Sequence, residues 1–530
     1  MSTLSNEQSA FAEFSKEVHN CELSSDGGST SNSDAEPEIQ DSDSDDPDMV
    51  ESLVSTGQIV CGRNWQEIAP KSNNNSPKLL PNCSLTRKSE YVENIDECFH
   101  LFINDTIMDN IILYTNKRAI ESILENKKWK PLDRTELDAF FGLLLLIGRF
   151  RESRESKHDL WKENEALSRR FYAAIMSPDR FVNILRYIRF DESTTREERK
   201  SSNKLAPLQE ITNIFSQNCR DSYNATDFGC VDEQLMTFRG RSFKVYMPNK
   251  PGKYGIKIWT LCDSNTFYCC NMEVYLGKHG TAPEKQQGKR VVKQLTDFWK
   301  NSVTDNFFTD LSLAEELLEN NIFLVGTMRK NKTDLPKTLI DTRNRSQYSS
   351  YFLFTVKLTL VSYVPKPRKC VVLLSTLHHE HSISTPAEKF KPDIINYYNS
   401  TKSGVDVLDK VVTEYSSRRC TRRWPLSLFM HYLDIAAYNA FIIWQTKYPA
   451  WMSENSITKK RKMFLEELAR KLTAENINRR ANEFENMTTG LHRNVISAIE
   501  ATGRKIIKKP KLSGQNRARC CFCIGSCYYC

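Results

Sequence analysis

The sequence predicts an α/β protein: a mixed sheet with helices that carries an all-β insertion and is flanked by mainly α-helical segments. Three observations predict it. Apolar residues recur at i, i+3, i+4 and i+7 over residues 91–228, the mark of helices with one buried face. From 229 the period shortens, and runs rich in β-branched and aromatic residues are bounded by Gly, Pro, Asn and Asp, the mark of strands. After 395 the helical period returns and continues to about residue 500.

Residues 1–90 read as a disordered acidic tail and a linker. "SSDGGSTSNSDAEPEIQDSDSDDPDMVES" is rich in Ser and Asp and poor in aromatics, so it cannot bury enough surface to order itself. It is either a plain solvated tail or a screen for a basic surface, tuned by Ser phosphorylation. "KSNNNSPKLLPN" reads as linker. The first helical segment, 91–228, contains "NIDECFHLFINDTIMDNIILYTNKRAIESIL", "DRTELDAFFGLLLLIGRF" and "SPDRFVNILRYIRF". Asp133 is the expected N-cap of the second of these, with Glu136 at capping-box spacing. In 229–331, "GCVDEQLMTF", "YGIKIWTLCDS", "TFYCCNMEVYLG" and "IFLVGTMRKN" read as strands, and "SVTDNFFTDLSLAEELLENN" as a strand running into a helix. This is the first part of the core sheet. Residues 332–394 hold short strands, "FLFTVKLTLVSYV" and "CVVLLST", and no convincing helix, hence the all-β insertion. The core closes over 395–416. A second helical segment follows over 417–500, and a basic, Cys-rich tail over 501–530.

The net charge of +8 is unevenly divided. Residues 1–60 carry fourteen Asp/Glu against one Lys, a net of −13. The rest carries 73 Lys/Arg against 52 Asp/Glu, a net of +21. A body that basic expects a polyanion, most commonly nucleic acid. The longest apolar runs, "FFGLLLLIG" and "IAAYNAFIIW", are too short to span a bilayer, and no apolar signal opens the chain. A soluble intracellular protein without membrane or small-molecule partners is expected. Sixteen cysteines, five of them in the last eleven residues, then point to thiols or metal rather than disulfides.

Four aspartates carry the candidate chemistry. Asp232 lies in a predicted strand, Asp305 at the end of another, and Asp406 and Asp409 three apart on a helix opening after Gly404. Acidic residues in a first helical turn are favoured by the helix dipole alone, and Asp at a strand end is commonly a turn residue. Sites also form at strand ends in open α/β sheets. Phosphodiester attack needs an activated hydroxyl and a stabilised leaving oxygen, which a pair of Mg²⁺ ions supplies. Mg²⁺ takes oxygen ligands, usually one or two carboxylates each, so three convergent aspartates suit that task.

Several motifs together resemble the piggyBac-type transposase family: "VDEQLMTFRGR", "MPNKPGKYGIKIWTLCDS", "TDNFFTDLSLAEELL", "VGTMRKNK", "YYNSTKSGVDVLDK" and "RRWPLSLFMHYLDIAAYNAFIIW". "YTNKRA", "FFGLLLLIGRF" and "MSPDRFVNILRYIRFDE" resemble its helical region. The resemblance spans roughly residues 95–450. It implies an RNase H-like core and cut-and-paste chemistry on double-stranded DNA at TTAA sites through hairpin intermediates. It also implies dimerisation and DNA binding by the helical segments, and hence a homodimer. Asp232, Asp305 and Asp406 match the family's catalytic aspartates and Asp409 a fourth beside them, implying Mg²⁺ with Mn²⁺ as a substitute. Trp424 matches a tryptophan near the active site; it also suits a hydrophobic anchor before Pro425 at a helix start. Arg329 and Lys332 match basic residues expected to face DNA. Arg418, Arg419, Arg422 and Arg423 around Trp424 suit phosphate binding or plain surface charge.

Lys505 to Arg519 fits a nuclear localisation signal or a phosphate-binding arm, so the nucleus is the expected compartment. Cys520 and Cys523 form one CxxC pair and Cys527 and Cys530 another, candidate zinc ligands or clustered reduced thiols. The family ends in a longer Cys/His domain, of which this tail resembles only the opening, so the tail is expected to be truncated. Two functions are carried forward: an active DNA transposase, and a domesticated or decayed sequence-specific DNA-binding protein that does not transpose.

Overall fold

The computed structural model describes residues 58–70, 82–122, 129–162, 169–277, 284–299, 301–304, 308–482, 487–501, 518–519 and 526–527. The chain divides into two compact units. One comprises residues 1–90 and 216–411, the other 91–215 and 412–530.

The first unit is built on one sheet. Its strands follow two short pairs. β1 (Gln58–Val60) pairs with β2 (Arg63–Trp65), and β3 (Ser84–Leu85) with β4 (Tyr223–Asn224). The main sheet comprises β5 (Gly229–Thr237), β6 (Lys244–Tyr246), β7 (Tyr254–Asp263), β8 (Cys269–Val274), β9 (Asn301–Thr304), β10 (Phe323–Met328), β11 (Ser350–Phe354), β12 (Thr359–Lys366) and β13 (Lys369–Ser375). Their order is β11-β12-β13-β10-β9-β5-β7-β6, with β8 also on β7. β5 and β7 run antiparallel in unbroken register from Gly229↔Asp263 to Thr237↔Gly255. β9 is parallel to both β5 and β10. Parallel neighbours need a crossover, and helix Leu311–Glu319 supplies it, capped by Asp310, whose carboxylate accepts from the Ser312 amide at 2.9 Å.

The strands expected as an insertion extend this same sheet. β13 pairs antiparallel with β10, then β12 and β11 follow as hairpins. A cluster of Val325, Phe352, Phe354, Val361, Tyr363 and Leu373 packs against Ile394, Ile395 and Tyr398 of helix Asp393–Thr401. The segment also contains helix Lys337–Ile340 and a 3-10 turn, Pro386–Glu388, where only strands were expected. Part of the expected linker is structural too. Trp65 is fully buried, Gln66 and Phe354 exchange backbone hydrogen bonds at 2.9 and 2.8 Å, and Arg63 grips Glu315 through two bonds of 2.8 and 2.6 Å.

The second unit is helical. Helix Trp424–Lys447 is long and apolar enough to cross a membrane by length and composition, yet its apolar stretch is wholly buried inside the protein. That is the state of a core helix with no polar face. Helix Arg134–Arg149 is buried along most of its length and packs closely on helix Ile457–Ala481. A Cβ on Gly142 would stand 2.7 Å from Thr473 Cγ2, so only glycine permits that approach. Asp133 caps the Arg134 helix as its spacing predicts, accepting from the Glu136 amide at 2.9 Å. Glu136 does not complete a capping box. Its carboxylate is drawn instead to Arg180, 2.8 and 2.6 Å away in a nearly dry pair. At the far end, Ala518–Arg519 pairs antiparallel with Ser526–Cys527.

Candidate active site

The site begins at β5. Asp232 and Glu233 are half-exposed at the middle of this strand, between the buried runs Gly229–Val231 and Gln234–Met236. The parallel register of β5 with β9 runs Cys230↔Val303 and Val231↔Thr304. The next residue on β5 is Asp232. The next residue in the chain after Thr304 is Asp305, which lies outside the described residues.

Helix Gly404–Glu414 brings in Asp406. Its first turn lies directly on the sheet because Gly404 has no side chain. A Cβ there would stand 2.9 Å from Cys230 Cβ and 3.6 Å from Cys262 Cβ. Two bonds tie the preceding turn down: the Cys230 thiol to Lys402 O at 3.0 Å, and the Ser264 hydroxyl to Thr401 O at 2.9 Å. Val405 and Leu408 are buried, whereas Asp406 is exposed and Asp409 half-exposed.

The β6–β7 turn, "MPNKPGKYG", delivers Lys250. The turn is closed by Met247 N to Lys253 O at 2.8 Å and Lys253 N to Lys250 O at 2.9 Å. The Lys250 ammonium lies 2.6 Å from Asp406 Oδ1, with 18% of its side chain exposed against 62% for Asp406. Burial alone would pull the Lys250 pKa down, but Asp406 and Asp232 outweigh it, with Asp409 adding to them, and hold it above its ordinary value. Asp406 thus pairs directly with Lys250, and Asp232 and Asp409 act on the same ammonium through space. The same carboxylates act on Cys230, whose thiol is pushed up by burial first and by Asp232 and Asp406 after it. In the sequence the β6–β7 stretch is a basic turn punctuated by Pro and Gly, and its basic residues are the signal it gives for Lys250.

Carboxylate oxygens such as those of Asp232, Asp406 and Asp409 are the donor type that a hard cation such as Mg²⁺ or Mn²⁺ takes, keeping several waters. Among the described residues no three His, Cys, Asp or Glu side chains form a metal-holding group, and Asp305 is not among them. The tail thiols cannot be placed either: Cys520, Cys523 and Cys530 lie outside the described residues, and Cys527 is described only as backbone.

The basic residues have varied surroundings. Arg329 is exposed just beyond β10. Lys332 donates to Thr309 O and Asp310 Oδ2, both at 2.8 Å, bracing the start of the Leu311 helix. In the helical unit, Arg418 Nε donates to Ser416 Oγ at 3.0 Å, and Arg419 donates to the carbonyls of Glu152, at 3.0 Å, and Glu155. Arg423 donates to Leu185 O at 2.9 Å and Arg186 O at 3.2 Å, and also to Ile188 O. Arg422 is exposed. Trp424 opens its helix with Pro425 behind it and lines a cavity with Arg422, Arg423 and Arg189.

The chain is similar to known proteins. A family model described as Transposase IS4 matches residues 96–441. PiggyBac transposable element-derived protein 3 of Homo sapiens is 22% identical over 446 residues, which cover 77% of this chain and 73% of that protein. PiggyBac transposable element-derived protein 5 of Homo sapiens is 24% identical over 266 residues, 47% of this chain and 50% of that one. Among solved structures, the chain is similar to a piggyBac transposase seen by cryo-EM in a synaptic complex with hairpin DNA. The TM-score is 0.74 at 32% identity, over 82% of this chain and 90% of the other. The chain belongs to the Transposase IS4 family, among the piggyBac-type transposases.

Proposed function

We propose that this protein is a cut-and-paste DNA transposase that hydrolyses and transfers phosphodiesters at TTAA sites through hairpin intermediates. The observation that carries the reading is the Lys250–Asp406 ion pair, with Asp232 and Asp409 acting on the same ammonium, beside the strand that leads into Asp305. The order β8-β7-β5-β9-β10, with the first three strands antiparallel and the last three parallel, supports the RNase H-like core that the resemblance implies. Asp232, Asp305 and Asp406 would hold a pair of Mg²⁺ ions, or Mn²⁺ in their place, with Asp409 at the edge. When bound, such a pair activates the attacking hydroxyl and stabilises the leaving oxygen.

The chain's own residues do the rest. The rigid β5–β7 ladder fixes Asp232, and Gly404 fixes the helix that carries Asp406. Lys250 offsets the carboxylates and stands where it can meet an incoming phosphate. Arg329 and the arginines around Trp424 supply positive charge for the DNA backbone. Two transposon ends must be brought together, so the working form is a homodimer, and its place of work is the nucleus.

The test is a labelled duplex carrying a TTAA-flanked transposon end, incubated with Mg²⁺ and either the wild-type chain or Asp305→Ala. Hairpin product from the wild type alone supports the reading. The names of the human relatives, "transposable element-derived", favour a second one: DNA binding without transposition. Tight binding with no cleavage by either chain would establish that reading instead.

A further inference from the structure

The helical unit holds a second concentration of charge. A cavity of about 280 Å³ is lined by five cationic side chains, Arg189, Arg196, Lys200, Arg422 and Arg423, and one carboxylate, Asp191. That carboxylate is already engaged: it accepts from Arg196 Nε at 3.1 Å and from Arg199 Nη2 at 2.7 Å. Lys200 has an ion pair with Glu197 at 2.8 Å. Among the described residues Arg189, Arg422 and Arg423 form no ion pair with a carboxylate; Asp191 acts on Arg189 through space, but its oxygens are bonded to Arg196 and Arg199.

Two of these arginines are held together by the end of helix Pro178–Tyr187 and the residue after it. Arg423 donates to Arg186 O at 3.2 Å and to Ile188 O, and Arg189 Nη1 donates to the same two carbonyls at 3.2 and 2.8 Å. The helix C-terminus is the negative end of the dipole, but its partial charge offsets only part of two full ones. Burial and the like charges of Arg189, Arg196 and Arg118 lower the Arg423 guanidinium to about 9. The remaining wall is apolar: Phe190, Pro207, Trp424 and Pro425. Apolar walls strengthen any charge contact made inside. Ligand pockets usually measure about 300–1,000 Å³, so this one suits a single group rather than a whole small molecule.

We propose that this cavity seats one phosphodiester of bound DNA, with Arg189 and Arg422 as its contacts and Arg423 as the residue that positions Arg189. The seat rests on the DNA-acting reading above but is independent of the aspartates. It adds Arg189 to the residues expected to hold DNA.

The experiment is fluorescence anisotropy of a labelled duplex bearing the transposon end, titrated at several KCl concentrations with wild type, Arg189→Gln, Arg189→Lys and Arg422→Gln. Losing one phosphate contact lowers the slope of log K against log[salt] by about 0.9. Both Gln variants are expected to show that drop and about tenfold weaker binding, whereas Arg189→Lys keeps the wild-type slope within a few tenths. Thermal melts confirm that the variants fold, and the exposed Arg422 keeps the test valid if Arg189→Gln does not. Wild-type slopes in the folded Gln variants overturn the seat while leaving the transposase reading intact. A wild-type chain that binds no DNA overturns both.

Discussion

Lys250 is the residue on which the candidate site turns. Its ammonium stands among carboxylates that would otherwise repel one another. Replacing it with Met should therefore destabilise the metal-free chain by about 1 kcal/mol, a figure discounted because Asp406 is largely exposed. Millimolar Mg²⁺ should then raise the melting temperature of Lys250→Met more than that of the wild type, since the ion takes over the neutralising role. An equal Mg²⁺ response in both chains would separate Lys250 from the metal site. Asp310 gives a second test. Burial pushes its carboxyl up, but the hydrogen bonds from Lys332 and Ser312 outweigh it and hold the pKa at about 2. A carboxylate depressed in the folded state contributes stability above its unfolded pKa and loses it as the pH falls toward the folded value. The wild type should therefore lose stability between about pH 4 and 2, and Lys332→Met should show a shallower loss in the same window. The four aspartates stood out as candidates in the sequence because each sits beside a clear strand or helix pattern, and Asp305 lies outside the described residues. Lys250 did not stand out: a basic turn shows its residues but not which carboxylate it will meet across 156 positions.

At the scale of elements, Gly404 decides where Asp406 stands. Gly404→Ala would force a Cβ into a space already filled at 2.9 Å by Cys230. Overpacking of this kind costs about 1–3 kcal/mol, and the helix shift it causes should reduce cleavage far more than DNA binding. Urea denaturation and single-turnover cleavage on the same variant would check both parts. Equal losses in binding and cleavage would argue against a local effect. Most element identities were readable, since the change from helical to strand period at 229 is a local property. Pairing is not local. Nothing in "CVVLLST" states that β13 would join β10 and carry the expected insertion onto the main sheet. The capping box at Glu136 failed for the same reason, because Arg180, 44 residues on, offers a stronger partner. Trp65, inside a segment read as linker, is fully buried. Trp65→Ala should cost about 3–5 kcal/mol, seen as a lower urea midpoint; an unchanged midpoint would mean that 58–69 does not contribute to the fold.

For the whole molecule, the proposed reading gives each of the two units its own task. The sheet unit carries the aspartates, and the helical unit carries the arginine-lined cavity. The net of +21 outside the acidic first sixty residues suits a protein whose partner is a polyanion over a long stretch. The measurement that bears most directly on the transposase reading is single-turnover cleavage of a TTAA-flanked transposon end in Mg²⁺. It compares wild type with Asp232→Asn, Asp305→Asn and Asp406→Asn, with DNA affinity and melting temperature recorded for each. Residues that act as one metal-holding unit fail singly about as badly as together. Each variant should therefore lose at least about 10³-fold in rate while binding DNA and melting like the wild type. Cleavage that persists at the wild-type rate in any one of the three would contradict the assignment of the site.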